Sequence, residues 1–162
     1  MKLARTLRLD ESDTFVFDPV AEAGEWAISG GFAFSNWTEA DLKGKARQAF
    51  ANGWLGLDTF GRATFVAVTP ITEAEYEAAI ATLAHHFVSA WGAPSQEAAW
   101  PVAEQELNHM REMCEDHPDN TLMVVTRELN AAGVHETYRT ITTQDAGLES
   151  FAVHGALDDP NG

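Results

Sequence analysis

The chain has 162 residues, 45% of them hydrophobic, and its 25 acidic and 10 basic side chains give a formal net charge of −15. This length suits one domain with a hydrophobic core, and five Trp with nine Phe supply more large apolar side chains than a disordered chain carries. The negative charge repels phosphate backbones, so we expect no nucleic acid among the partners.

Targeting and redox signals indicate a cytoplasmic protein. The N-terminal sequence MKLARTLRLDE reaches charged residues before any apolar run long enough for a signal peptide. No segment of the sequence approaches the roughly 18 apolar residues of a membrane span. Cys114 is the only cysteine, so no intrachain disulfide can form and a reducing compartment fits. We therefore expect a cytoplasmic protein that makes no membrane contact.

The first part of the chain carries strand patterns. Leucines alternate with polar residues over 3–9, which predicts an opening strand. We predict three further strands here, in the segments TFVF (14–17), EWAISGGFAF (25–34) and RATFVAV (62–68), the first of them as the hairpin partner of the opening strand. Gly30 and Gly31 indicate a bulge or a close backbone approach within the second of these segments.

A pair of helices follows. Thr72 and Glu75 have the spacing of a capping box, and Gly92 provides a stop signal. Apolar residues recur at helical spacing on both sides of this glycine, which predicts helices over roughly 73–91 and 96–116 that pack as a hairpin. We expect the following residues of the two helices to be buried: Tyr76, Ile80, Leu83, Phe87, Trp91, Leu107 and Met110.

The strand pattern returns after the helices. The segments TLMVVTREL (121–129) and GVHETYRTIT (133–142) are joined by NAAG, whose Gly133 suits the positive φ of a short hairpin loop. Strands on both sides of a helix pair predict an α+β fold, with an antiparallel sheet of five or more strands and the helix hairpin on one face. We assign this single domain to 1–156 and a flexible acidic tail to 157–162.

Glu106 and His109 form an E-x-x-H pair, a spacing used by helices that bind di-iron centres. Such a centre needs the pair twice, and this sequence contains it once. Both residues lie away from the apolar stripe marked by Leu107, so we expect them to face water and to bind no metal. Cys114 lies on the stripe itself, which indicates a buried thiol that behaves as a small hydrophobic side chain.

The segment DLKGKARQAFANGWLGLDTFGRATF (41–65) contains much of the scarce positive charge. Lys45, Arg47 and Arg62 are candidates for a cluster beside Trp54, where guanidinium groups would bind a carboxylate or phosphate and the indole would cover an apolar body. These four residues are our candidate ligand-binding site. We assign no catalytic residue, no metal ligand and no cofactor.

The same charges also have an ordinary explanation. Lys43 and its basic neighbours can offset nearby carboxylates such as Glu39, Asp41 and Asp58 in surface pairs, each contributing about 0 to 1 kcal/mol. Charge balance on an acidic protein requires no ligand. Apolar residues at helical spacing over 46–50 also predict a short helix in this segment.

Four stretches carry a resemblance to a known family: MKLARTLRLDESDTFVF, GEWAISGGFAF, GKARQAFANGWLGLDTFGRATFV and ELNAAGVHETYRT. Together they resemble a family of small acidic bacterial proteins that is a domain of unknown function. The likeness covers nearly the whole chain. It implies a compact single domain and assigns no catalytic residue.

Two functional hypotheses remain open. The first is a small non-catalytic cytoplasmic binding or accessory protein, whose partner is another protein or a second copy of itself. Its large aromatic side chains exceed what one small core needs, and EWAISGGFAF or an edge of the closing hairpin is suited to pairing in a homodimer. The alternative is an enzyme or ligand-binding protein that acts on a small anionic molecule at the Lys43–Arg62 segment.

Overall fold

The computed structural model describes residues 1–9 and 11–141. Its strands are β1 (Lys2–Leu7), β2 (Trp26–Ile28), β3 (Trp54–Gly56), β4 (Arg62–Ala63), β5 (Phe65–Pro70), β6 (Leu122–Asn130) and β7 (Gly133–Ile141). Its α-helices are α1 (Ser12–Val16), α2 (Gly44–Asn52), α3 (Glu73–Trp91) and α4 (Gln96–Glu115), with short 3-10 turns at Gly31–Phe34 and Glu39–Asp41.

The seven strands form one sheet in the order β4-β3-β2-β1-β5-β6-β7, and every neighbouring pair is antiparallel. Helices α3 and α4 pack against each other, and α4 lies against β1 and β2. Leu3 and Val68 of the sheet share one hydrophobic core with Leu83 and Leu107 of the helices. The predicted α+β fold with a helix hairpin on one face is therefore confirmed.

Local signals define the helix pair. The Thr72 hydroxyl accepts a hydrogen bond from the Glu75 amide, and the Glu75 carboxylate accepts one from the Thr72 amide, which completes the predicted capping box. Gly92 ends α3 in the left-handed conformation. Six of the seven residues expected to be buried in the helices are buried, but Trp91 is 51% exposed. Trp91 lies in the last turn of α3, where its ring contacts the edge of Phe32 instead of the core.

Two strand predictions were wrong. The TFVF segment lies in and just after the short helix α1, because β1 is already paired with β2 on one side and β5 on the other and has no free edge for it. Asp13 fixes this helix, since its carboxylate accepts hydrogen bonds from the amide and hydroxyl of Thr64. The EWAISGGFAF segment is a strand only at Trp26–Ile28. The chain then turns at Gly30, which has φ 72° and lies against Leu55 and Arg62.

The sheet curls so that its two ends approach each other. Tyr138 of β7 stacks on Trp54 of β3, with ring centroids 5.9 Å apart, although four strands separate β3 from β7 in the sheet order. Asn52, at the end of α2, donates a hydrogen bond to the Val125 carbonyl of β6. The C-terminal end of α2 therefore packs against β6, whereas the first turns of this helix are exposed.

The predicted closing hairpin is present, and its register is fixed by the loop. Asn130 pairs with Gly133, which has φ 114°, and this places Arg127 directly opposite Glu136. In β7 the alternate residues Val134, Glu136 and Tyr138 are half-buried, whereas His135 is exposed. None of the helices in the described residues is long and apolar enough to cross a membrane. The predicted domain boundary at 156 and the tail 157–162 lie outside the described residues.

Candidate functional site

Arg127 of β6 is 3% exposed, and its guanidinium group organises the interior of the curl. Nη1 donates to the carbonyls of Phe50 and Gly53, both at 2.9 Å, and to that of Ala49 at 3.3 Å. These carbonyls belong to the C-terminal end of α2 and the residue after it, where a cation complements the helix dipole. Nη2 donates to the Ser29 carbonyl at 2.5 Å. Arg127 therefore joins β6 to α2 and to the turn after β2.

Arg62 of β4 is a second buried arginine, 7% exposed. Its guanidinium donates to the same carbonyls of Ser29 and Gly53, at 3.3 and 3.1 Å, and to that of Gly30 at 3.1 Å. Burial, followed by the positive charge of Arg127, lowers the pKa of Arg62 to about 9. Both guanidinium groups thus hold backbone carbonyls of the turn in place, and Arg62 remains charged at neutral pH.

Glu136 of β7 is the counter-ion of Arg127. Its Oε2 accepts from Arg127 Nε at 2.6 Å and from the Ser29 hydroxyl at 2.8 Å, and its Oε1 accepts from the Tyr138 hydroxyl. Burial alone raises the pKa of Glu136, but the hydrogen bonds from Tyr138, Arg127 and Ser29 and the charge of Arg127 outweigh burial and lower this pKa below its usual value. Glu136 is therefore a carboxylate at neutral pH.

His109 of α4 connects this network to the helix layer. Its Nε2 lies 3.2 Å from the Tyr138 hydroxyl oxygen. The single proton of that hydroxyl is donated to Glu136, so the oxygen accepts from His109, and Nε2 carries a proton. Burial and the bond to Glu136 raise the pKa of Tyr138, which keeps the phenol protonated. In the neutral ring, Nδ1 of His109 is therefore left as a hydrogen-bond acceptor.

A cleft of about 480 Å³ lies in front of Glu136. One side is formed by α4, one by the turn after β2 and one by the start of β7. The cleft is lined by Ser29, Gly31, Phe32, Ser35, Glu106, His109, Ala132, Gly133, Val134 and Glu136. Its volume is within the range of small-molecule sites.

Glu106 differs from the other charged groups of the cleft, because it has no hydrogen bond or ion pair within the described residues. It was expected to face water with His109. His109 is indeed exposed, but Glu106 is half-buried, because the curl of the sheet brings Glu136 up against α4. Burial raises the pKa of Glu106 and the charge of Glu136 raises it further, whereas His109 lowers it. Glu106 is thus a half-buried acid that faces the cleft without a donor among the described residues.

The four residues predicted as a ligand site are not brought together on one exposed surface. Lys45 and Arg47 are exposed on α2. Trp54 is fully buried against Tyr138, and its indole N–H has no hydrogen-bond partner in the described part of the chain. Arg62 is buried against backbone carbonyls, as described above. Of these four residues, only Lys45 and Arg47 are exposed to a ligand.

Sequence reasoning missed Arg127, Glu136 and Tyr138, although one signal was present. The NAAG loop predicts a two-residue hairpin connection, and counting back from it places Arg127 opposite Glu136 on one face of the hairpin. The mainly apolar alternation of TLMVVTREL also marks Arg127 as an inward-facing charge. Such a charge is buried only when it is paired.

Metal and thiol chemistry receive no support from the arrangement. Within residues 1–9 and 11–141, no group of three or more His, Cys, Asp or Glu side chains is placed to hold a metal ion. Cys114 is fully buried on the core face of α4, as its place on the apolar stripe predicted. Burial, with a smaller effect of Glu115, raises its thiol pKa to about 12, so it is a poor nucleophile.

The fold and the cleft define a single α+β domain with an arginine-organised polar cleft. A family of unknown function, DUF6505, matches residues 1–159, and the chain belongs to this family. A search of curated proteins and a search of solved structures gave no significant match. The resemblance noted in the sequence is therefore confirmed as membership of a family of unknown function.

Proposed function

We propose that this protein is a small non-catalytic binding protein that holds a small molecule in the cleft between α4, the turn after β2 and the start of β7. The observation that carries the proposal is the half-buried side chain of Glu106, which faces a cleft of about 480 Å³ and has no donor within residues 1–9 and 11–141. A half-buried carboxylate without a hydrogen-bond donor lowers the stability of the folded protein. A ligand that pairs with Glu106 would explain why such a residue is present.

The rigidity of the cleft supports the same proposal. Arg127 and Arg62 fix the turn at Ser29 and Gly30 from behind, and Arg127 and Ser29 fix Glu136. Side chains whose positions are already determined lose little entropy on binding, which favours a preformed site. An anionic ligand at the Lys43–Arg62 segment is less well supported, because the burial of Trp54 and Arg62 removes them from its reach. An anion site at the Lys43–Arg62 segment stays a prediction.

The proposal is tested by screening a fragment library against isotope-labelled protein by NMR. We expect at least one fragment to shift amide resonances of the cleft, such as those of Gly31 and Val134. A Ser35→Trp variant, which places an indole in the cleft, should weaken that binding at least about tenfold. Asn36→Trp is the matched control, because Asn36 is exposed and outside the lining. A library without cleft binders, or unchanged binding by the Ser35→Trp variant, would reject the proposal.

We also propose that the protein is cytoplasmic and forms a homodimer. The free, buried Cys114 is compatible with a reducing compartment. β7 is a nine-residue strand at the end of the sheet, and within the described residues it pairs only with β6, so its other edge is suited to pairing with a second copy. Light scattering should give twice the chain mass of 17.7 kDa. A monomer mass at high micromolar concentration would contradict the dimer.

A further inference from the structure

We infer that the ligand of this cleft is an organic cation, a protonated amine or a guanidinium compound, for which Glu106 is the counter-ion. This inference rests on the small-molecule binding proposed above and specifies the chemistry of the ligand. It follows from an inventory of the donors and acceptors that the cleft presents.

The protein's own donors around Glu136 are already used. The hydroxyl protons of Ser29 and Tyr138 are donated to Glu136, and so is the Nε proton of Arg127. The remaining guanidinium donors of Arg127 point to backbone carbonyls and to the Ser29 hydroxyl, behind the cleft wall. Neither buried arginine lines the cleft. Among the described residues, an anion in the cleft would therefore meet the side chains of Glu106 and Glu136 and no guanidinium group.

Apart from the Ser35 hydroxyl, which can donate or accept, the side-chain groups that remain available are acceptors. Glu106 offers two carboxylate oxygens without a donor among the described residues, and Glu136 keeps one unused lone pair, on Oε1. His109 donates through Nε2 to Tyr138 and presents Nδ1 as an acceptor when neutral. A complementary ligand must bring the N–H donors. Arg127 forms an ion pair with Glu136, whereas Glu106 has no ion pair among the described residues and only His109 partly offsets its charge. The matching ligand therefore carries one positive charge.

The cleft is better suited to an organic cation than to a metal ion. Its volume of about 480 Å³ accommodates a small organic molecule, and Phe32 supplies an aromatic surface for an apolar body. A metal ion would compete with Arg127 for Glu136 and would find no group of three His, Cys, Asp or Glu ligands within the described residues. An ammonium group instead needs acceptors on one side and tolerates an apolar group on the other.

The test uses three probes of similar shape: benzylammonium, benzyl alcohol and benzoate. Binding is followed by NMR titration of the amide resonances around the cleft. We expect benzylammonium to bind at least about tenfold more tightly than benzyl alcohol, the scale of one charge-assisted hydrogen bond, and benzoate to bind more weakly than both. In a Glu106→Gln variant this preference for the cation should disappear. Glu104→Gln is the matched control, because Glu104 is an exposed carboxylate two residues earlier on the same helix.

Every other outcome of this test would count against the cation inference. Equal affinity for benzylammonium and benzyl alcohol would overturn the cation inference and leave small-molecule binding intact. Tighter binding of benzoate, a preference that survives Glu106→Gln, or displacement of benzylammonium by millimolar Mg²⁺ or Ca²⁺ would also overturn it. If no probe shifts the cleft resonances, the cation inference is overturned, and the fragment screen with the Ser35→Trp variant and its Asn36→Trp control decides whether the binding function fails as well.

Discussion

Arg127 and Glu136 lie directly opposite each other in the β6–β7 hairpin, with Nε and Oε2 2.6 Å apart. The arginine side chain is fully buried, and the glutamate side chain is 21% exposed. The pair connects two parts of the molecule, because the same guanidinium also binds carbonyls of α2 and of the turn after β2. The geometry of the cleft therefore depends on a residue that does not line it.

Replacing Arg127 with Leu should destabilise the protein by about 3 to 5 kcal/mol, since breaking a buried ion pair leaves an uncompensated charge and unpaired carbonyls. Urea unfolding followed by circular dichroism measures the change. Arg139→Gln is the control, because Arg139 is an exposed arginine on β7, and it should change stability by less than about 0.5 kcal/mol. A loss below about 1 kcal/mol for Arg127→Leu would mean that the buried network contributes little.

Glu136→Gln should reduce the loss of folding stability that the protein shows as pH falls. The pKa of Glu136 is lowered in the folded protein, so its ionised form contributes stability that is complete above the unfolded value of 4.5 and is lost as pH falls through the lower folded value. The groups facing it are Arg127, Tyr138 and Ser29, with Glu106 across the cleft. At pH 7 the variant should be less stable by about 1 to 3 kcal/mol.

This difference between wild type and Glu136→Gln should shrink between pH 5 and pH 3, as measured by urea unfolding at each pH. Glu128→Gln, at an exposed position in the neighbouring strand, controls for the loss of one negative charge. A difference that stays constant down to pH 3 would show that folding does not lower the pKa of Glu136.

Much of the fold was predictable because its signals are local. The capping box at Thr72 and the C-terminal glycine Gly92 lie next to the apolar residues of α3, so the bounds of this helix can be predicted from sequence. The TFVF segment was misassigned because its apolar alternation was read without knowing that both edges of β1 are occupied. The prediction for Trp91 was wrong because helical spacing shows which face of α3 a residue lies on. It does not show whether the core reaches as far as the last turn of the helix, where Trp91 is exposed.

The site was less predictable than the fold, because it depends on the curl of the sheet. The pairing of Arg127 with Glu136 follows from the hairpin register and was accessible to sequence reasoning. The approach of Glu136 to Glu106 is different, since it joins a hairpin to a helix through contacts that no local pattern encodes. Arg62 and Trp54 were expected to form part of a ligand site because they lie close together in sequence. Both side chains are instead buried.

Gly30→Ala should be more destabilising than Gly92→Ala, although both glycines have a positive φ, 72° and 78°. A Cβ at Gly30 would lie 2.5 Å from Leu55 Cβ and 2.7 Å from Arg62 Nη1, whereas a Cβ at Gly92 meets nothing within 4 Å. Gly92→Ala should therefore cost about 1 kcal/mol for backbone strain alone, and Gly30→Ala at least about 2 kcal/mol. Equal losses in urea unfolding would show that the turn moves to admit a methyl group.

Glu106→Gln should stabilise the ligand-free protein at pH 8, by a few tenths of a kcal/mol. Burial, with the charge of Glu136, raises the pKa of Glu106 above its unfolded value, and His109 opposes this only in part. The ionised form is therefore disfavoured by folding at high pH, and this cost disappears as pH falls through the raised pKa. The advantage of the variant over wild type should be largest at pH 8 and absent near pH 4, with Glu104→Gln measured alongside as the exposed control. A variant less stable than wild type at pH 8 would mean that Glu106 has a stabilising contact within the protein. A variant that is more stable and yet loses cation binding has the trade-off expected of a residue kept for its ligand.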